Sequence, residues 1–281
     1  MIKKIIIFSC ATMLLSCNNN TSDKPSDSQA SEDTVKNSST QPENELADFK
    51  FHALVINIPS PFEVITLLPK SGIAYKQDLV NSTDNVTKYT TTTQKSLNYG
   101  LYIVDLIYLS SNEHFSEVKN YFKTSGTLAQ SLDFAESFNK IAGTRLEKNI
   151  DKKDTINKII DQVFTEMDSY LRSNDRLLTA TQILIGSWIE SQYLAVSLIK
   201  DEAKTKDNEK LFQKVSEEGY TLEKLAQLSK EFEKEKDFKP FIQDLNDLQI
   251  LYKEYKNDTS GKSSLTKIYD KLSKVRGKVV N

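Results

Sequence analysis

The chain has 281 residues, 38% hydrophobic and 27% charged, with a formal net charge of -2, a composition that suits one large globular domain or two small ones. Its charges are of mixed sign and form no basic block, so phosphate neutralisation is excluded as a basis of function and no nucleic-acid partner is expected. Both cysteines, Cys10 and Cys17, fall at the start of the chain, which leaves everything after them without a disulfide or a thiolate metal site.

Residues 1–16 carry Lys3 and Lys4, an apolar run from Ile5 to Leu15, and the small Ser16 just before Cys17, which is the order of a secretory signal. The run is too short to span a bilayer. Leu14-Leu15-Ser16-Cys17 resembles the bacterial lipobox, and the resemblance implies removal of residues 1–16 and acylation of Cys17. It also implies the cell envelope. Asn18 stands where enteric-type lipoproteins held at the inner membrane have aspartate, which favours the outer membrane. Loss of Lys3 and Lys4 would leave the mature chain at a charge of -4. Residues 18–48 are rich in Ser, Thr and Asn, with seven acids against Lys24 and Lys36 and almost nothing to bury. Such a segment cannot offset the entropy of ordering, so residues 17–50 are predicted to be a lipidated, disordered tether and residues 51–281 the folded domain.

The folded part opens on residues 49–58, whose loose alternation makes them the one strand candidate. Ser60, Pro61 and Glu63 then offer an N-cap, a first-turn proline and the acid of a capping box, predicting a helix to about Pro69. No proline follows until Pro240, which favours long helices. Helices are predicted over 84–112, 113–131, 133–143 with a glycine cap at Gly143, and 154–174, the last with Ile156, Ile159, Ile160, Val163, Phe164, Met167 and Leu171 at spacings of three and four. Residues 179–199 are apolar on nearly every side and hold the only tryptophan, Trp188, so they are predicted to be a central helix buried all round. Gln182, Glu190 and Gln192 inside that stretch argue against a membrane span. Helices over 208–218, 221–236, 239–256 and 264–279 complete the chain, with Gly219 as a break and Lys267, Lys271, Lys274, Arg276 and Lys278 of the last one pointing outward. The expectation is an all-α fold, a bundle or array of about eight or nine helices after the tether.

Signals for catalysis are missing. His52 and His114 are the only histidines and neither sits at HExxH or ExxH spacing. The eight glycines are scattered, so no glycine-rich loop can cradle a phosphate, and no serine-hydrolase signature occurs. No catalytic residue, metal or cofactor is expected. One constellation is less plain. Asn98, Tyr102 and Asp105 share one strip of the second long helix, and Gly186, Glu190, Tyr193 and Ser197 share one strip of the central helix. Carboxylates on two otherwise apolar helices need partners if buried, with Asn98, Tyr102, Tyr193 and Ser197 the nearest donors; the cluster reads either as a network that fixes helix register or as a functional site.

The stretches 86–110 and 183–195, with the preceding 58–64, look like a family of helical bacterial lipoproteins of unassigned function. That resemblance implies an all-helical lipoprotein and carries over no activity. The sequence as a whole is read as a membrane-anchored envelope lipoprotein with a non-catalytic binding or scaffolding domain, its partner an envelope protein or a small ligand. The alternative is an enzyme or small-ligand binder that uses a carboxylate site at Asp105 and Glu190.

Overall fold

The computed structural model describes residues 62–149, 151–258 and 262–281, together with Ile58 and Ser60. The signal, Cys17, the tether and the strand candidate up to residue 57 lie outside them. Among the described residues the fold is all-α. Its helices are α1 (Glu63–Leu67), α2 (Thr92–Ser111), α3 (Phe115–Ser131), α4 (Ala135–Glu147), α5 (Lys153–Ser173), α6 (Leu177–Ile199), α7 (Glu209–Ser229), α8 (Lys239–Asn257) and α9 (Lys262–Val280). No helix among them is long and apolar enough to cross a membrane.

The core is built on α6 and α2. Every residue of α6 except Leu177, Leu178 and Tyr193 is buried, and so is all of α2 after its first turn save Lys95 and Gln94. Two glycines let these helices touch backbone to backbone: a Cβ on Gly186 would collide with the Leu97 carbonyl, and one on Gly100 with the Ile183 carbonyl. The contact is sealed by the Ser187 hydroxyl, which donates to Gly100 O at 3.2 Å, and by Gln182 Nε2, which donates to Thr93 Oγ1 at 3.0 Å. Around the pair lie the amphipathic helices, with α3 and α5 against α2, α4 against α3 and α5, α7 and α9 against α6, and α8 bridging α7 and α9.

Several predicted boundaries are corrected. The helix expected from 84 begins at Thr92, because Thr91 closes a capping box with Gln94: Gln94 N donates to Thr91 Oγ1 at 3.1 Å and Thr91 N to Gln94 Oε1 at 3.2 Å. Before it, residues 71–91 form a strap with short 3₁₀ turns at Gln77–Leu79 and Thr83–Lys88. Ser60 is not the cap of the first helix; Phe62 is, and Glu63 reaches Lys214 at 2.6 Å instead of closing a capping box. Gly219 does not break α7, which runs through it with Tyr252 packed where a side chain would stand. Gly143 does not end α4 either, but kinks it, with φ -11° and ψ -117°. The stops of α2, α3 and α5 are made by acids in left-handed conformation, Glu113 (φ 65°), Asp133 (φ 58°) and Asp175 (φ 55°). After each, the next amide donates back into the last turn, as in His114 N to Leu109 O at 2.9 Å.

Candidate functional site

The predicted acids meet. Asp105 on α2 and Glu190 on α6 are both fully buried, as are Asn98 and Tyr102, while Tyr193 is half-buried. The residue that completes the cluster was assigned outward: Arg276 of α9 turns inward, its side chain only 13% exposed. Its Nε donates to Glu190 Oε2 at 2.6 Å and its Nη2 to Glu190 Oε1 at 2.9 Å, a bidentate pair. The same Nη2 donates to the Leu79 carbonyl at 2.9 Å, and the guanidinium lies 4.4 Å over the Tyr193 ring. Arg276 stands among lysines, and a lone arginine in that company was the signal available in the sequence, because planar bidentate pairing is arginine's geometry.

Asp105 has a different set of partners. Its Oδ2 accepts the Asn81 amide at 3.0 Å, and its Oδ1 has no donor while both acids are ionised. Burial raises the Asp105 pKa well above the ordinary 3.8, the Glu190 charge beside it raises it further, and Arg276 opposes only in part. Asp105 is therefore the protonated member of the pair. A proton on Asp105 would give its unpartnered Oδ1 a hydrogen to offer beside Glu190, whose two oxygens already hold the Arg276 fork.

Asn98, Tyr102, Tyr193 and Ser197 were the expected donors to these acids, and none of them fills that role. Asn98 Nδ2 donates to Gln94 O at 2.9 Å and to Val279 O at 2.7 Å, tying α2 to α9. The Tyr102 hydroxyl donates to Ser82 O at 2.7 Å, and so holds the strap. Tyr121 of α3 does the same through Asn81 O at 2.8 Å, and Tyr108 accepts from Lys76 N at 3.0 Å. Asn81 is the centre of the strap: besides its backbone bonds, its Nδ2 donates to the Tyr89 hydroxyl at 2.9 Å and its Oδ1 accepts from Asn85 at 2.6 Å.

Two further buried acids, Glu218 and Asp244, were not foreseen. Glu218 of α7 accepts from Trp188 Nε1 at 3.2 Å and lies 3.7 Å from Lys214, and burial raises its pKa. The lysines of α9 are also less free than expected. Lys271 pairs with Asp244 at 2.8 Å and Asp247 at 2.6 Å, Lys278 with Asp244 at 2.7 Å and Lys267 with Glu254 at 3.1 Å, so this helix is latched to α8.

Surface cavities lie elsewhere. One of about 150 Å³ opens between α7 and α8, lined by Gly219, Tyr220, Glu223, Tyr252, Lys253 and Lys256 among others. A wider groove of about 610 Å³ runs between α3 and α4 past Phe122 and Phe138. Neither is lined by Asp105, Glu190 or Arg276. Among the described residues no group of three His, Cys, Asp or Glu is placed to hold a metal ion.

The fold and this cluster define an all-α protein with a sealed acid–arginine centre under a polar strap. No family model matches the chain, and no curated protein or solved structure does either.

Proposed function

We propose that the protein is a cell-envelope lipoprotein, acylated at Cys17, whose helical domain is a non-catalytic binding or scaffolding module carried on the tether of residues 17–50. The observation that carries the non-catalytic reading is the closure of the Asp105–Glu190–Arg276 cluster: both carboxyl groups are without solvent contact, and their hydrogen bonds come from Asn81 and Arg276. A general acid or base must reach its substrate, and these two reach only each other, an arginine and the strap. The signal-like residues 1–16, the lipobox-like end at Cys17 and the likeness of 86–110 and 183–195 to helical lipoproteins support the anchored part of the reading. The outer membrane is the favoured address, on the residue at position 18. For the binding part, the support is a face on α7 and α8: Tyr220, 56% exposed, lines the cavity together with Tyr252, and Ile250 of α8 is 60% exposed. Exposed tyrosine and isoleucine at a crevice are the kind of anchors that protein interfaces use.

Feeding cells an alkyne-bearing fatty acid tests the anchor. The parent is expected to take up the label and sediment with membranes, and Cys17→Ala to do neither; a Cys17→Ala protein that still carries label places the anchor elsewhere. A photo-crosslinking residue at Tyr220 tests the module. A discrete adduct that disappears on Ile250→Glu is expected, and adducts no different from those formed at the exposed Lys158 position would defeat it.

A further inference from the structure

The strap of residues 71–91 is held down in an unusual way. Its only fully buried apolar side chains are Leu79 and Tyr89, with Ile73, Tyr75, Val80 and Val86 half-buried against the core, and much of the remaining hold is polar. Asp105, Tyr102 and Tyr108 grip it from α2, Tyr121 from α3 and Arg276 from α9, at five points between Lys76 and Ser82. A segment with little apolar burial and many polar pegs opens at low cost when one peg fails.

The weakest peg is Asp105. Its Oδ2 holds the Asn81 amide, while its buried Oδ1 has no partner, and the neighbouring Glu190 is already committed to both nitrogens of the Arg276 fork. With a proton on Oδ1 the centre is neutral and every polar atom of the two acids has a partner. Without it, two carboxylates and one guanidinium share a space that water does not enter, and one oxygen has no donor. We propose that the proton on Asp105 is the latch of the strap: loss of that proton releases residues 76–89 from the bundle and opens the Glu190–Arg276 pair to solvent. The titratable and charged groups that face Asp105 are Glu190 from α6, Arg276 from α9, Tyr102 and Tyr108 from α2, Tyr121 from α3, and Tyr75 and Tyr89 from the strap itself. Burial raises the pKa of each of these tyrosines, so each holds its proton more tightly than an ordinary tyrosine. Arg276 stays charged throughout. Asp105 is thus the carboxyl group of this cluster whose proton the fold holds above the usual carboxylate range. The strap is closed on the acid side and opens as the medium becomes alkaline. This device is independent of the acyl anchor and of any partner on α7 and α8.

Hydrogen exchange followed by mass spectrometry on the full chain in detergent tests it, with labelling times scaled at each pH to the intrinsic exchange rate. In the parent, protection of peptides spanning 76–89 is expected to fall as pH rises, by up to about tenfold per pH unit, the limit for release of one proton, while peptides of α6 hold their protection. Asp105→Asn supplies an amide that donates to Glu190 and accepts from Asn81 as the protonated acid does, so its strap is expected to stay protected at every pH. Glu190→Gln removes the repelling charge and leaves Asp105 opposite Arg276, so it is expected to move the opening to higher pH or abolish it. A parent whose strap protection ignores pH overturns the proposal, as does either variant opening with the parent's profile.

Discussion

Gly186 and Gly277 both lie inside helices yet answer opposite questions about a missing side chain, and together they test how α2 and α6 meet. Around Gly277 there is open space where a Cβ would stand, whereas at Gly186 that space is taken by the backbone of Leu97. Gly277→Ala should stabilise the fold by roughly 0.5 to 1 kcal/mol, since it removes the glycine penalty of a helix interior and meets nothing. Gly186→Ala has the same propensity gain and must push two helices apart; a net loss of about 3 kcal/mol or more is expected. Urea denaturation of the two variants checks this, and a Gly186→Ala protein as stable as the parent would mean that the helices are not in backbone contact. The same scale shows the limit of reading polarity along a strip. Asp105 and Glu190 were legible because acids in apolar stretches stand out. Arg276 was not, because in its own helix it sits among lysines that do face outward, and its inward turn depends on a carboxylate 86 residues away.

At the scale of elements, the ends of helices were the hardest to read, and glycine was the reason. The natural expectation puts stops at Gly143 and Gly219, yet α4 bends and continues through the first, and α7 passes the second because the Tyr252 ring fills the room there. The stops at Glu113, Asp133 and Asp175 carry side chains in the left-handed region, where glycine is at ease and other residues are strained. Asp133→Gly and Asp175→Gly are each expected to raise stability by about 0.5 to 1 kcal/mol, the relief of strain being partly offset by the looser unfolded chain. Thermal unfolding measures it, and a fall in melting temperature for both variants would show that these acids hold the turns by contacts of their own. The strap was missed for a related reason. Val86 and Tyr89 fit a helical period as well as they fit a strap, and only the Thr91–Gln94 capping box marks where the helix begins.

For the whole molecule, the plan is two long buried helices in contact, each gathering amphipathic ones from the chain that follows it. That much was legible, since α2 and α6 are apolar on most sides and the others on one. A single core of this kind predicts a single transition. Trp188, the sole tryptophan, is buried between α6 and α7 with its indole nitrogen on Glu218, so its fluorescence reports the centre, while circular dichroism reports all the helices. The two midpoints in denaturant should coincide, and a separation between them would divide the bundle into independently melting parts. The grip of Arg276 on the strap has a consequence in time as well. It joins residues 197 apart in the chain through Leu79, and contacts so distant in sequence form late because a long loop must close first. A chain made from its N-terminus onward has α2 and α6 available to pair before α9 arrives. During that interval Glu190 lacks Arg276, the strap lacks one of its anchors, and the half-built bundle is the form that proteases and chaperones encounter.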